Sequence, residues 1–158
     1  MPHREAVDPS RRLVWQVFGA IGVVLFLVGL VKVALLWLPA ELGEQEWEYG
    51  TSSNFFDVFP LLGLGIGFLT ASALALGRKW AARGTATFAL LLAVFMWLAF
   101  ALFATVFPAA LRAVGDPLAM TPLKKAAAKT LVEAVVYPFG LLWLAGAAWR
   151  ASLRRGRG

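Results

Sequence analysis

The ionisable residues set deepest in apolar sequence are Lys32, within Leu13–Leu38, and Glu133, within Ala127–Trp149. A lone carboxylate in such a setting is the kind of group that relays a proton or cation, and a lone ammonium is the kind that neutralises it. Each lies six residues from the nearer polar boundary, which on a helix places both at a depth of ~9 Å. Matched depth and opposite sign predict an ion pair that brings the first and fourth apolar segments together. Lys129 lies one turn from Glu133 and is a second cation within reach. Proline at Pro138, with Gly140 just beyond it, predicts a kink in the same segment, because its ring removes the bond to the Ala134 carbonyl.

Other chemistries are excluded by residue type. The chain has no cysteine, so thiol catalysis, disulfide exchange and Fe–S ligation are ruled out. Its single histidine, His3, lies in a polar tail, and Met96 with Met120 gives no convincing axial pair for haem. Glu41, Glu44, Glu46, Glu48 and Asp57 form an acidic run, yet neither an Asp-x-Asp-Gly spacing nor a histidine makes it a metal site. Facing it in sequence is a basic loop with Arg112, Lys124, Lys125 and Lys129, opposed only by Asp116. That complementarity predicts a clamp between the two loops or the steering of a charged partner. With no Gly-rich phosphate loop and no nucleophile–base pair in the loops, the expectation is a protein that is not an enzyme and uses no cofactor or metal.

The elements that position these residues are four apolar stretches, at residues 13–38, 56–77, 84–107 and 127–149, each 22 to 26 residues long. As helices they each cross a hydrocarbon core of ~30 Å, and in lipid a helix satisfies its own backbone polar groups. The apolar fraction is 60% and the mean hydropathy +0.74, well above the ~45–50% apolar content of soluble domains. The predicted fold is all-α: a single membrane domain over 1–158, an integral four-transmembrane-helix bundle. At 26 residues, the first span exceeds a signal-peptide core and no small-x-small cleavage site follows it, so it is expected to be retained.

Charge placement sets the orientation. Ten of the 15 basic residues fall in the N-terminal tail, between the second and third spans, or at the C-terminus, whereas residues 39–57 hold five acids and no base. The positive-inside rule then puts both termini in the cytoplasm. Trp15, Trp80 and Trp149 fall at the proposed inner boundary and Trp37 at the outer one, as in an interfacial belt; Trp97 and Trp143 lie deeper. The net charge of +6 is therefore read as topology and affinity for anionic lipid, not as nucleic-acid binding.

Connections differ in length. The turn at 78–83 is tight and makes spans two and three antiparallel neighbours. Residues 108–125 contain Pro108, Gly115-Asp116-Pro117 and Thr121-Pro122, which predicts a break in helix there, with a short interfacial helix near 109–114. In span two, Gly63, Gly67, Ala71 and Ala75 recur every four residues and predict a close helix-packing face.

The segment Trp47-Glu48-Tyr49, followed by Pro60-Leu61-Leu62-Gly63-Leu64 at the next span, resembles bacterial HpsJ-type multi-spanning membrane proteins over about residues 38–68. The resemblance implies a bacterial four-span protein and a link to exopolysaccharide production; it carries no site residue across. Taken together, the expected protein is a non-catalytic accessory or assembly subunit of a larger complex in the bacterial inner membrane. Respiratory, photosynthetic and polysaccharide-export assemblies are all compatible hosts. Its partners are membrane lipids and other membrane subunits, met through the span faces and charged outer loops. A small transporter or channel using Lys32 and Glu133 is the alternative.

Overall fold

The computed structural model of the chain describes residues 9–38, 40–41, 45–113 and 117–154. It contains α1 (Pro9–Leu36), α2 (Gln45–Ala75), α3 (Lys79–Ala113) and α4 (Pro117–Arg154), with no strand among the described residues. All four are long and apolar enough to cross a membrane.

The helices run past the apolar stretches that define them. α2 begins at Gln45 rather than Phe56, and it passes through Pro60. α3 continues through Pro108 to Ala113, and α4 starts at Pro117 with Pro122 and Pro138 inside it. The expected break across residues 108–125 is therefore corrected: helix runs through 108–113 and from Pro117 onward, and residues 114–116 lie outside the described residues. Residues 109–113 belong to α3 and form no separate helix. An interior proline removes one backbone bond from an otherwise intact ladder, and Pro117 at the first helical position removes none.

The α2–α3 connection is a Schellman turn. Gly77 takes φ +70°, the Arg78 amide donates to the Ala73 carbonyl at 2.8 Å, and the Gly77 amide to Leu74 at 3.1 Å. Gly77 is the one residue with a left-handed φ among those described, and it has no Cβ to strain.

The core lies between α2, α3 and α4. Phe56, Phe59, Leu62 and Ile66 from α2 meet Ala86, Ala89, Ala93 and Met96 from α3 and Ala134, Leu141, Ala145 and Ala148 from α4. Large side chains from α2 fill the space that alanines on the other two leave, so the three backbones pack closely. α1 stands outside this core. Among the described helices its backbone packs on α2 alone, and the Phe26 ring reaches Phe88 of α3 at 5.1 Å.

The α1–α2 seam is built from glycine. The least exposed residues of α1 are Trp15, Gly19, Gly22, Phe26, Gly29, Val33 and Leu36, joined by Leu25. The first seven alternate spacings of four and three, the 3.5-residue period of a left-handed helix pair. Against them α2 places Leu62, Gly65, Leu69 and Ser72. A Cβ on Gly22 would stand 2.9 Å from the Gly65 carbonyl oxygen, and one on Gly29 2.6 Å from the Leu62 side chain. The Ser72 hydroxyl closes the seam by donating to the Trp15 carbonyl at 2.7 Å.

Candidate functional site

Chain direction alternates, which gives the bundle two chemically different ends. The terminal end gathers the start of α1, the α2–α3 turn and the end of α4, with Arg78, Lys79, Arg83 and Arg150. The distal end gathers the start of α2 and the early part of α4, with the described acids Glu41, Asp57 and Glu133.

The distal cluster rests on helical spacing. Lys129, Glu133 and Tyr137 recur every four residues on α4 and so share one face. That face meets α2, where Asp57 and Phe59 lie two residues apart. The Lys129 ammonium donates to Asp57 Oδ1 and lies 3.9 Å from Glu133 Oε1. The Tyr137 ring stacks on Phe59 at 5.4 Å between centroids, with 28° between the planes. Lys129 and Asp57 are half-exposed, whereas the Glu133 side chain is 13% exposed. One Glu133 oxygen, Oε2, is buried with no hydrogen-bond partner. A buried acceptor of this kind is costly to leave unsatisfied.

Lys32 does not belong to this cluster. The expected Lys32–Glu133 pair is corrected, because α1 and α4 do not come into contact and Glu133 faces Lys129 instead. Depth was matched, but α2 separates the two helices. Lys32 is exposed on α1, and no described residue pairs with it. The expected clamp between acidic and basic loops is present in one pair, Asp57 with Lys129. Glu44, Glu46, Glu48 and Asp116 lie outside the residues whose side chains are described.

No family model, curated protein or solved structure matches the chain. Its site is therefore read from its own geometry.

The ladder of Gly63, Gly67, Ala71 and Ala75 is also corrected. A Cβ on Gly67 would meet nothing within 4 Å, and one on Gly63 only Phe59 of its own helix at 4.0 Å. Ala71 and Ala75 are half-buried. The close approach runs through Gly65, at a spacing of 3.5 rather than four. Pro138 lies fully buried inside an unbroken α4, where it removes the bond to the buried Ala134 carbonyl.

The terminal end holds polar links between helices. The Thr70 and Thr85 hydroxyls lie 2.9 Å apart between α2 and α3, and Arg83 Nε donates to Ser152 Oγ of α4 at 3.3 Å. Thr70 and Ser152 are buried. Each hydroxyl also bonds a carbonyl of its own helix, Ile66 at 2.7 Å and Trp149 at 2.7 Å. These serve packing. Among the described residues no group of three metal-ligating side chains occurs.

Proposed function

We propose that this chain is a multi-pass protein of the bacterial inner membrane, with both termini cytoplasmic, acting as a non-catalytic accessory or assembly subunit of a larger membrane complex. The observation that carries this reading is Lys32. It lies one turn from the end of α1, on a helix whose backbone packs on α2 alone, and it is exposed with no ion pair among the described residues. A cation in that position reaches for the boundary or meets a carboxylate of a neighbouring protein. The second outcome is the subunit reading, and the exposed apolar residues beside it, Val31 and Leu35, continue the contact surface. The local resemblance to HpsJ-type proteins makes a polysaccharide-export assembly one such host.

The test is native mass after mild detergent extraction from the source membrane. The wild-type chain of 17.1 kDa is expected in a stoichiometric complex with other membrane proteins. Lys32→Met should release it while leaving it inserted. A monomer or homodimer in both cases overturns the subunit reading.

Orientation is tested separately, and the absence of native cysteine makes the experiment clean. Glu41→Cys is expected to react with an impermeant maleimide in intact cells, and Trp80→Cys only after permeabilisation. The opposite labelling reverses the topology.

A second reading, as a small transporter or channel, is favoured by the unpartnered Glu133 oxygen alone. It expects proton or cation flux in proteoliposomes that Glu133→Gln abolishes. Flux unchanged by that substitution removes Glu133 from any transport path.

A further inference from the structure

Because α1 and α3 both lean on α2 without their backbones touching, the terminal end contains a slot between them. Its volume is about 260 Å³. Its floor is α2, at Leu69 and Leu76; its walls are Ala20 and Val23 of α1 and Ala81 of α3. The Phe26–Phe88 contact lies deeper along the same helix pair. Three polar side chains line it: Ser72, whose hydroxyl donates to the Trp15 carbonyl, and, at its terminal end, Gln16 and Arg78. Gln16 and Arg78 are exposed, and neither side chain is hydrogen-bonded or ion-paired among the described residues.

We propose that this slot binds an anionic phospholipid, with one acyl chain against Ala20, Val23 and Leu76 and the headgroup phosphate on Arg78. The proposal rests on the membrane reading above and names a ligand for the terminal end. An apolar slot bounded by an unpaired cation matches the two ends of such a molecule. A guanidinium is a bidentate donor suited to phosphate oxygens, and the Gln16 amide supplies a further donor. Charge favours the same occupant. Lys79 follows Arg78, Arg11 and Arg12 begin α1, and every described acid, Glu41, Asp57 and Glu133, belongs to the distal end. A zwitterionic lipid fits the slot equally well but gains less from this field.

The experiment uses the full chain, purified in detergent, stripped of lipid, and mixed with phosphatidylglycerol or phosphatidylcholine of matched chains. Retained lipid is read by native mass spectrometry. Wild type is expected to retain phosphatidylglycerol in preference to phosphatidylcholine. Arg78→Ala should lower that preference about five- to ten-fold, the scale of one lost charged contact near a membrane surface. Arg78→Lys should keep part of it, and Arg150→Ala, off the slot on α4, should leave it unchanged. Ala20→Phe narrows the slot and should lower retention of both lipids. Equal losses from Arg78→Ala and Arg150→Ala would mean a diffuse charge effect and overturn the site. Full retention in Ala20→Phe would mean a phosphate contact without an inserted chain, and would also overturn it. Extraction of the wild-type chain from membranes by alkaline carbonate is the separate outcome that sinks the membrane reading itself.

Discussion

Gly65→Leu is expected to detach α1 from α2, whereas Gly67→Leu, two residues away, leaves the bundle as it is. The contrast is large because of what each new side chain would meet. At Gly65 even a Cβ lies 2.8 Å from the Phe26 amide nitrogen and 3.0 Å from its Cα, and 3.0 Å from the Gly22 carbonyl oxygen. These are backbone atoms, which cannot rotate away as a side-chain tip can. Overpacking typically costs ~1–3 kcal/mol, and this contact belongs at the upper end of that range. At Gly67 nothing lies within 4 Å, so a change within about 0.5 kcal/mol is expected. Reversible unfolding in mixed micelles measures both. If Gly67→Leu proves as damaging as Gly65→Leu, the seam has been assigned to the wrong glycine.

Lys129→Met is the second substitution with a large expected effect. It removes the donor to Asp57 and the nearest cation to Glu133 together, leaving two carboxylates on facing helices without compensation. Polar couplings within membranes are usually below ~2 kcal/mol, and the ammonium here is more than half exposed, so about 1 kcal/mol is the expected loss. Lys32→Met, which breaks no internal pair, should leave the isolated chain at wild-type stability or slightly above it. A double-mutant cycle with Asp57→Asn and Lys129→Met isolates the pair and should give a coupling of ~0.5–1 kcal/mol. A coupling indistinguishable from zero would show that the two groups are neighbours without mutual stabilisation.

The four helices were legible because length and apolarity act one segment at a time. Their ends were less so: residues 45–55 and 108–113 are polar or proline-bearing, yet helix continues through them once its interior is fixed by packing. Pairing Lys32 with Glu133 failed for a different reason. Sequence position gives depth along a bundle axis but says nothing about which helix stands between two others. The Asp57–Lys129 link was half visible, since both residues belong to oppositely charged segments that the sequence already sets face to face. The glycine seam was fully present in α1, where Gly22 and Gly29 are seven residues apart with Gly19 one step before them. The period of four in α2, through Gly63, Gly67, Ala71 and Ala75, is not that of the seam, because the helix pair follows a period of 3.5. Nothing in sequence pointed to the slot beside Arg78, because it is a gap between two helices that avoid each other.

An appendage held along one face does not share the fate of the whole. α1 adds only partly buried side chains, Phe26, Val33 and Leu36, to the edge of the core, while the fully buried ones come from the other three helices. Its detachment and the collapse of α2–α4 are therefore expected as two transitions, to be read as a calorimetric enthalpy that differs from the van't Hoff value. The α1 amides are expected to exchange at rates set by the α1–α2 seam, insensitive to changes deep in the three-helix core. A chain arranged in this way keeps a three-helix body and, laid against it, one helix whose backbone meets α2 alone among the described helices.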